Sequence, residues 1–338
     1  MPMTIEEMKT ACVRSEPFGA VESVLASAEL QHKVTFYPLG FPVEIVTNSQ
    51  EILDAAAESW LGYARLFKTK PIQVHILVNE GRSLKCPPPP VLKIQRNLLV
   101  NIADADNFAV YDLAQQFTYL SLTKAALAHR SYLRYFFLEP AALGHISTRY
   151  ATAIHGACVE QGGSGVLLCG DSGAGKTTLA YACAQAGWTY VTDDASYLVH
   201  GRKDRLVVGN FKQVRFRPSA KEFFPELEGR DITQRAQVGK PSIELFTSPL
   251  KQLKRAPSSR VAHMVFLTRR NVKYQELIPF PKDVAKHFIM QTLFSLPDVR
   301  VIQEEEVDKF LRMEVHELRY NDMNWAVERL GRLVRDGW

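Results

Sequence analysis

The 338-residue chain is 46% hydrophobic and carries a formal net charge of +5. That length indicates two domains or one large one, and the composition is ordinary for a globular protein with a sizeable core. The charge is spread without long blocks. The two basic clusters, Arg202–Arg205 and Lys251–Arg255, are therefore interpreted as solvated faces, and no nucleic-acid-binding module is visible.

Three features of the sequence bear on the compartment. No stretch approaches the about 18 apolar residues of a membrane span, and the acidic N-terminus lacks the apolar centre of a signal peptide. The five cysteines show neither metal-ligand spacing nor a paired framework, and Cys169 and Cys183 lie inside apolar runs. We therefore expect reduced cysteines, no membrane partner and a cytoplasmic protein.

The first half of the chain alternates predicted strands and helices. One or two short helices are expected within residues 1–30, and Ser49 is a candidate cap for a helix over Gln50–Leu61. A buried helix is predicted over Ala114–Ala128, after a proline-rich connector at Cys86–Pro90. The predicted strands are His32–Tyr37, Pro42–Val46, Ile72–Val78, Leu98–Ile102 and Phe108–Tyr111. This pattern predicts a mixed α+β N-terminal domain over residues 1–145.

The second half has a clearer α/β pattern. Helices are predicted over Asp283–Phe294 and Met323–Val334, and Gly187 stands where a helix ends. The predicted strands are Thr152–Glu160, Val166–Cys169, Trp188–Thr192, Tyr197–His200, Leu206–Val208, Val261–Leu267 and Glu314–Arg319. Residues 146–338 are therefore predicted to form a second domain of the α/β class.

Residues 170–177 read Gly-Asp-Ser-Gly-Ala-Gly-Lys-Thr, a complete phosphate-binding loop motif. The motif follows the apolar run Val166–Cys169 and precedes the helix-compatible run Thr178–Ala186, which is the strand–loop–helix context that it needs. Its backbone N–H groups and the helix N-terminus favour a polyphosphate, Lys176 can reach the outer phosphates, and the Thr177 hydroxyl can bind Mg²⁺. The candidate nucleotide-binding residues are Gly170, Asp171, Ser172, Gly173, Ala174, Gly175, Lys176, Thr177 and Thr178.

Two adjacent carboxylates follow the next predicted strand. Asp193 and Asp194 lie 17 and 18 residues beyond Lys176, a spacing that returns the chain to the edge of the sheet where the loop lies. One carboxylate can assist a metal ion while the other accepts a proton from an attacking hydroxyl. His155 lies on the strand before the loop strand, and hairpin pairing of these strands would bring it to the same edge. A structural turn at the aspartates and a purely structural histidine remain the alternatives.

The series Ile-His-Gly, hairpin, Gly-Asp-Ser-Gly-Ala-Gly-Lys-Thr, helix and strand ending in Asp-Asp resembles the catalytic domain of HPr kinase/phosphorylase and the broader group of HPr kinase-related proteins. The ATP-dependent phosphoenolpyruvate carboxykinases share a similar loop and acidic pair. The resemblance is specific over residues 154–194 and implies a P-loop kinase domain in residues 146–338. The C-terminal run Val315–Tyr320, before a helix, also resembles the ending of these proteins.

The resemblance implies ATP and Mg²⁺ as cofactors, and Asp193, Asp194, His155 and Lys176 as catalytic residues. It implies Thr177 and Asp194 as metal ligands, without settling which aspartate is the base. The partners implied are a nucleotide and a hydroxyl acceptor, either a protein serine or a small molecule; no nucleic acid is expected, and a homo-oligomer is left open.

The sequence departs from the family at its second signature, an Arg-Gly-Leu-Gly-type segment, which is absent. Arg215, Arg217 and Lys240 are the nearest basic candidates for phosphate contacts, although a solvated strand face is the simpler interpretation of the two arginines. The leading functional hypothesis is an ATP- and Mg²⁺-dependent kinase that transfers the γ-phosphoryl group to a hydroxyl of a protein serine or a small molecule. The alternatives are carboxykinase-like phosphoryl transfer and a non-catalytic nucleotide-gated regulatory protein.

Overall fold

The structure is a computed structural model that describes residues 29–232, 241–269, 272–293 and 296–337, together with residues 6, 10, 13 and 14. The chain has a mixed α/β structure and forms two compact units that divide between Ile146 and Ser147. The short helices expected before residue 30, Cys12 and Lys240 lie outside the described residues, apart from the four isolated positions.

The first unit is built on a seven-stranded sheet. The strands are β1 (His32–Phe36), β2 (Val43–Thr47), β3 (Ile72–Asn79), β4 (Val91–Gln95), β5 (Leu98–Ile102), β6 (Phe108–Asp112) and β7 (Phe117–Thr123). They lie in the order β1-β2-β3-β7-β6-β5-β4, with β2, β3 and β7 parallel and the other pairs antiparallel. Along β3, Ile72, Val74 and Ile76 are buried and the residues between them are half-buried, because alternate side chains point to opposite faces.

Helices complete this unit. Helix α1 (Gln50–Trp60) buries Ile52, Leu53, Ala55 and Ala56 and connects two parallel strands, as crossover helices do. Ser49 stands at its N-cap without a side-chain capping bond. The later helices are α2 (Lys124–Ala128), α3 (Arg130–Leu133), a π-helical turn (Arg134–Leu138) and α4 (Glu139–Arg149), whose residues from Ser147 onward belong to the second unit.

The prediction of a helix over Ala114–Ala128 is wrong for most of its length. Residues Phe117–Thr123 form β7, which pairs with β3 and β6, and only Lys124–Ala128 is helical. The run Phe-Thr-Tyr-Leu-Ser-Leu-Thr is rich in aromatic and β-branched residues, which favour a strand buried on both faces. Thr123 then caps α2, its hydroxyl accepting a hydrogen bond from the Ala126 N–H.

The second unit contains a nine-stranded sheet in the order β11-β9-β10-β16-β13-β12-β8, with β18 beside β16 and β17 beside β18. Strands β14 and β15 form a separate two-stranded sheet. The strands are β8 (Ala151–His155), β9 (Ala157–Gln161), β10 (Ser164–Cys169), β11 (Thr189–Thr192), β12 (Ala195–Val199), β13 (Leu206–Gly209), β14 (Gln213–Phe216), β15 (Ile243–Phe246), β16 (Ser258–Thr268), β17 (Glu276–Pro279) and β18 (Val315–Arg319).

Helices cover both faces of this sheet. They are α5 (Lys176–Gln185), α6 (Lys282–Gln291), α7 (Pro297–Phe310) and α8 (Met323–Asp336). Leu179 of α5 and Leu330 of α8 share one core cluster with Leu168, whereas Ile289 of α6 and Val307 of α7 share another with Leu167. The central strand β10 is therefore buried on both faces, which explains its uninterrupted apolar sequence.

The directions of the strands determine where functional groups meet. Strand β16 is parallel to both β10 and β18, and β11 has the same direction as β10 because both are antiparallel to β9. The carboxyl ends of β10, β11, β16 and β18 therefore lie at one edge, where α/β sheets commonly bind ligands.

Several predictions for this half need correction. The strand predicted over Thr152–Glu160 is divided at Gly156 into β8 and β9, which pair with different neighbours. The described part of the predicted helix Asp283–Phe294 ends at Gln291, and α7, β15 and β17 were not predicted. The strand considered around Arg215 and Arg217 is β14, which ends at Phe216 and so contains only the first of the two arginines. Within the described residues, no helix is long and apolar enough to cross a membrane.

Candidate functional site

Residues 170–175 form a tight loop between β10 and α5. Gly170, Gly173 and Gly175 adopt φ angles of +138°, +91° and +98°, in a region that other residues rarely enter. Gly175 occupies the N-cap position of α5, and Asp171 and Ser172 are exposed. The loop therefore turns directly into a helix N-terminus, whose N–H groups carry positive partial charge.

Lys176 is buried at the start of α5. Its Nζ donates hydrogen bonds to the carbonyl oxygens of Gly170 at 2.7 Å and Asp171 at 3.2 Å. Burial lowers the pKa of Lys176, and the carboxylates of Asp194 and Asp171 act in the opposite direction. The ammonium group is therefore held within the loop, where phosphate oxygens could replace the carbonyl oxygens as its acceptors.

The next two residues of α5 are half-buried threonines, Thr177 and Thr178. The Thr177 hydroxyl lies 3.5 Å from the backbone oxygen of Asp193, so the start of α5 reaches the end of β11. Hydroxyl, carbonyl and carboxylate oxygens are the donors that Mg²⁺ prefers. The described residues contain no group of three or more His, Cys, Asp or Glu side chains that could hold a metal ion by itself.

The Asp193 carboxyl group is buried at the end of β11. Its Oδ2 accepts a hydrogen bond from the Arg215 N–H at 2.9 Å, and its Oδ1 lies 3.0 Å from the Tyr190 hydroxyl. The same hydroxyl lies 2.9 Å from the Gln213 carbonyl oxygen and has one proton to donate. The Tyr190 hydroxyl therefore shares its one proton between the Asp193 carboxyl group and the Gln213 carbonyl oxygen, and these contacts hold the end of β11 against β14.

The burial of Asp193 shifts the pKa of its carboxyl group. Burial, followed by the nearby charge of Asp194, raises the pKa of Asp193 to about 6. Asp193 is therefore an anchor that joins the end of β11 to β14, with little surface for a substrate.

Asp194 has a different environment. Its side chain is 59% exposed, and its Oδ1 lies 3.3 Å from Nδ1 of His155, which is 40% exposed. Ala195 pairs with His155 in the β8–β12 ladder, and the β9–β10 hairpin places the end of β8 beside the loop. The structure therefore brings the predicted site residues His155 and Asp194 together as a solvent-accessible pair. The two adjacent aspartates differ in burial, since Asp193 is buried and Asp194 is exposed.

Two arginines contact the loop. The Arg217 guanidinium donates to the Ser172 hydroxyl at 2.9 Å, and the Arg269 guanidinium lies 5.3 Å from the Phe223 ring centre and 5.4 Å from that of Tyr320. Within the part of the chain that the structure describes, neither guanidinium lies within 4.0 Å of a carboxylate. Both cations are thus placed where an anion bound to the loop could meet them.

The sequence analysis predicts one of these two arginines, Arg217, as a candidate for phosphate contacts and does not predict the other, Arg269. Arg217 was a candidate together with Arg215, but the Arg215 side chain lies 3.7 Å from Glu244 and 3.2 Å from the Gln213 side-chain oxygen. Arg269 was missed. Its position directly after β16, at the edge that carries the loop, is the signal that could have found it.

Comparison with known proteins gives limited information. No protein-family model and no curated protein matches the sequence. Among solved structures, the chain is similar to the HPr(Ser) kinase/phosphatase from Coxiella burnetii, with 14% sequence identity and a TM-score of 0.30, over 55% of this chain and 99% of that one. This is a weak structural likeness to a kinase/phosphatase, and membership of the HPr kinase-related group stays a prediction.

The close packing behind Gly175 leads to a first prediction. A Cβ atom at Gly175 would lie 2.9 Å from the Tyr320 hydroxyl and 3.2 Å from the Arg269 Cδ, whereas one at Gly173 would meet nothing within 4 Å. Both residues have a positive φ, so alanine at either costs about 1–2 kcal/mol in backbone strain. We expect Gly175→Ala to lower the melting temperature clearly more than Gly173→Ala. Equal melting temperatures would contradict this packing.

The buried Asp193 leads to a second prediction. Because its pKa is raised to about 6 in the folded protein, the folded state keeps the proton while the unfolded state loses it. Relative to Asp193→Asn, the wild type should lose up to about 3 kcal/mol of unfolding free energy as pH rises from about 4 to about 6, with little change above about 7. Urea unfolding across this range measures the difference. Asp231→Asn, at an exposed position away from the end of β11, is the control and should keep the pH dependence of the wild type; the same pH dependence in Asp193→Asn and Asp231→Asn would contradict the assignment.

Proposed function

We propose that this protein is a nucleotide-dependent phosphotransferase, a kinase that transfers the terminal phosphoryl group of ATP to a hydroxyl. The observation that carries the proposal is the juxtaposition, at one edge of the sheet, of a glycine loop with a buried lysine and the Asp194–His155 pair. A nucleotide-binding module alone needs the first group but has no need of the second.

The loop supplies the phosphate-binding half of this site. Its N–H groups and the N-terminus of α5 favour an anion, and Lys176 and Arg217 add two full positive charges. Arg217 is tied to the Ser172 hydroxyl and has further donors available for a polyphosphate. In phosphoryl transfer, positioning and charge stabilisation of this kind provide most of the catalysis.

The oxygen donors beside the loop fit Mg²⁺. We assign the Thr177 hydroxyl and the Asp194 carboxylate as its protein ligands, because Mg²⁺ usually takes one or two protein oxygens together with phosphates and water. When bound, the ion would neutralise phosphate charge during transfer.

The acceptor half of the site consists of Asp194 and His155. His155 can donate its Nδ1–H to Asp194 and so orient the carboxylate, and both side chains are accessible to a protein serine or a small-molecule hydroxyl. Of the two adjacent aspartates, we therefore assign to Asp194 the role of accepting the acceptor's proton or assisting the metal ion, and to Asp193 the role of positioning Asp194.

A third prediction tests the loop. Lys176→Ala should weaken the binding of ATP–Mg²⁺ by at least about tenfold, because it removes the ammonium group that would donate charge-assisted hydrogen bonds to the phosphates. Isothermal titration calorimetry measures the change. Lys203→Ala removes an exposed lysine from the turn between β12 and β13 and should bind as the wild type does. If Lys176→Ala binds ATP–Mg²⁺ as tightly as Lys203→Ala does, the nucleotide does not bind at this loop.

A fourth prediction tests the acidic pair. Asp194→Asn should lower single-turnover phosphoryl transfer, or the ATPase reaction, by about 10²–10⁴-fold with an unchanged melting temperature. Asp193→Asn should retain most of the transfer, because the side chain is buried away from the substrate and the amide oxygen can still accept the hydrogen bond from the Arg215 N–H.

Two further results refine or reject this assignment. If high Mg²⁺ partly restores Asp194→Asn, Asp194 acts through the metal ion; if it does not, Asp194 acts as the base. A wild-type protein that binds ATP–Mg²⁺ but neither hydrolyses it nor labels an acceptor in cell extract would be better described as a nucleotide-gated binding protein.

A further inference from the structure

A cleft of about 390 Å³ lies at the carboxyl ends of β16 and β18, beside the loop strand. We propose that this cleft holds the nucleoside end of the phosphoryl donor, with a purine base stacked on Tyr274. The inference rests on the proposed function, since it concerns the same ligand. Residues that line the cleft include Thr268, Lys273, Tyr274, Glu276, Glu317 and Arg319.

The cleft and the loop are joined by two pairs of consecutive residues. Thr268 lines the cleft, and the next residue, Arg269, lies against Gly175 of the loop. Arg319 lines the cleft, and the next residue, Tyr320, places its hydroxyl against the same glycine. Thr268 and Arg319 pair across β16 and β18, so the residues that follow them, Arg269 and Tyr320, lie between the cleft and the loop. One residue spans at most about 3.6 Å, so the cleft begins close to the loop.

The order of the strands gives the bound nucleotide a direction. Asp194 follows the end of β11, and His155 is two residues before the start of β9; both strands lie on the β9 side of the loop strand β10. The cleft lies on the opposite side, beyond β16. A nucleotide whose terminal phosphate faces the Asp194–His155 pair therefore extends its nucleoside toward the cleft.

The cleft has the chemistry that a nucleoside needs. Tyr274 is 79% exposed and presents a ring on which a base can stack. The Thr268 hydroxyl donates to Glu317 at 2.8 Å, and Arg319 lies 2.9 Å from Glu317 and 3.0 Å from Glu276, so both carboxylates are fixed in position. Their remaining lone pairs can accept hydrogen bonds from ribose hydroxyls, and the volume falls within the range of ligand pockets.

The test compares two ligands. ADP carries the nucleoside, whereas inorganic tripolyphosphate reports on the loop alone. In calorimetric titrations, Tyr274→Ala should weaken ADP binding by about 5- to 100-fold, as expected for loss of base stacking, and leave tripolyphosphate binding unchanged. Tyr274→Phe keeps the ring and should bind ADP within about twofold of the wild type.

A control variant lies in a second cleft of about 290 Å³ between α6 and α7, where Glu304 pairs with Lys286 at 3.0 Å. Glu304→Gln should bind both ligands as the wild type does. If Tyr274→Ala binds ADP normally, or loses ADP and tripolyphosphate equally, the nucleoside is not in the cleft, although the loop function stands. If the wild type binds neither ligand, the proposed function fails and the cleft assignment fails with it.

Discussion

The burial of Asp193 is the constraint on which the arrangement of the site depends. Its carboxyl group meets the Tyr190 hydroxyl and the Arg215 N–H, and so ties the end of β11 to β14. Asp193 and Asp194 form the bend between β11 and β12, in which the Asp193 side chain is buried and the Asp194 side chain faces solvent and His155. One inward-facing carboxyl group thus positions an outward-facing one, and the raised pKa of Asp193 is a consequence of that burial.

Burial also determines the conformation of the loop at residues 170–175. Strand β10 is buried on both faces and cannot shift along the sheet without exposing its apolar side chains. Its end therefore fixes Gly170, while the buried ammonium of Lys176 closes the loop from within. Gly175 completes the turn in close contact with Tyr320 and Arg269. Phosphate binding would then require little rearrangement of the backbone, which is the kind of pre-organisation that favours affinity.

The sequence predicts those parts of the site that depend on local pattern. The β10–loop–α5 unit follows from an apolar run, a glycine motif and a helix-compatible run, and the position of Asp193 and Asp194 follows from the length of one helix and one strand. The different environments of the two aspartates depend on Tyr190 and Arg215, which only the folded chain brings together.

Other differences between expectation and structure have similar physical causes. The division at Gly156 reflects close packing, because a Cβ atom there would lie 3.0 Å from the Leu168 carbonyl oxygen. The mistaken helix at Ala114–Ala128 reflects a short apolar run, for which periodicity does not separate a buried strand from a helix. Arg269 carries no motif and owes its position to the parallel pairing of β10 with β16.

The order of the strands also bears on what kind of acceptor the site could take. The loop strand β10 lies between β9, which leads toward His155, and β16, which leads toward the cleft. A donor that lies across the loop and fills the cleft leaves the Asp194–His155 side for the acceptor. Because both of these side chains are accessible to solvent, the acceptor need not enter an enclosed pocket. A hydroxyl on a large partner, such as a serine on a protein surface, is therefore sterically as compatible with this edge as one on a small molecule, and selection between them would fall to residues around the edge rather than to the loop.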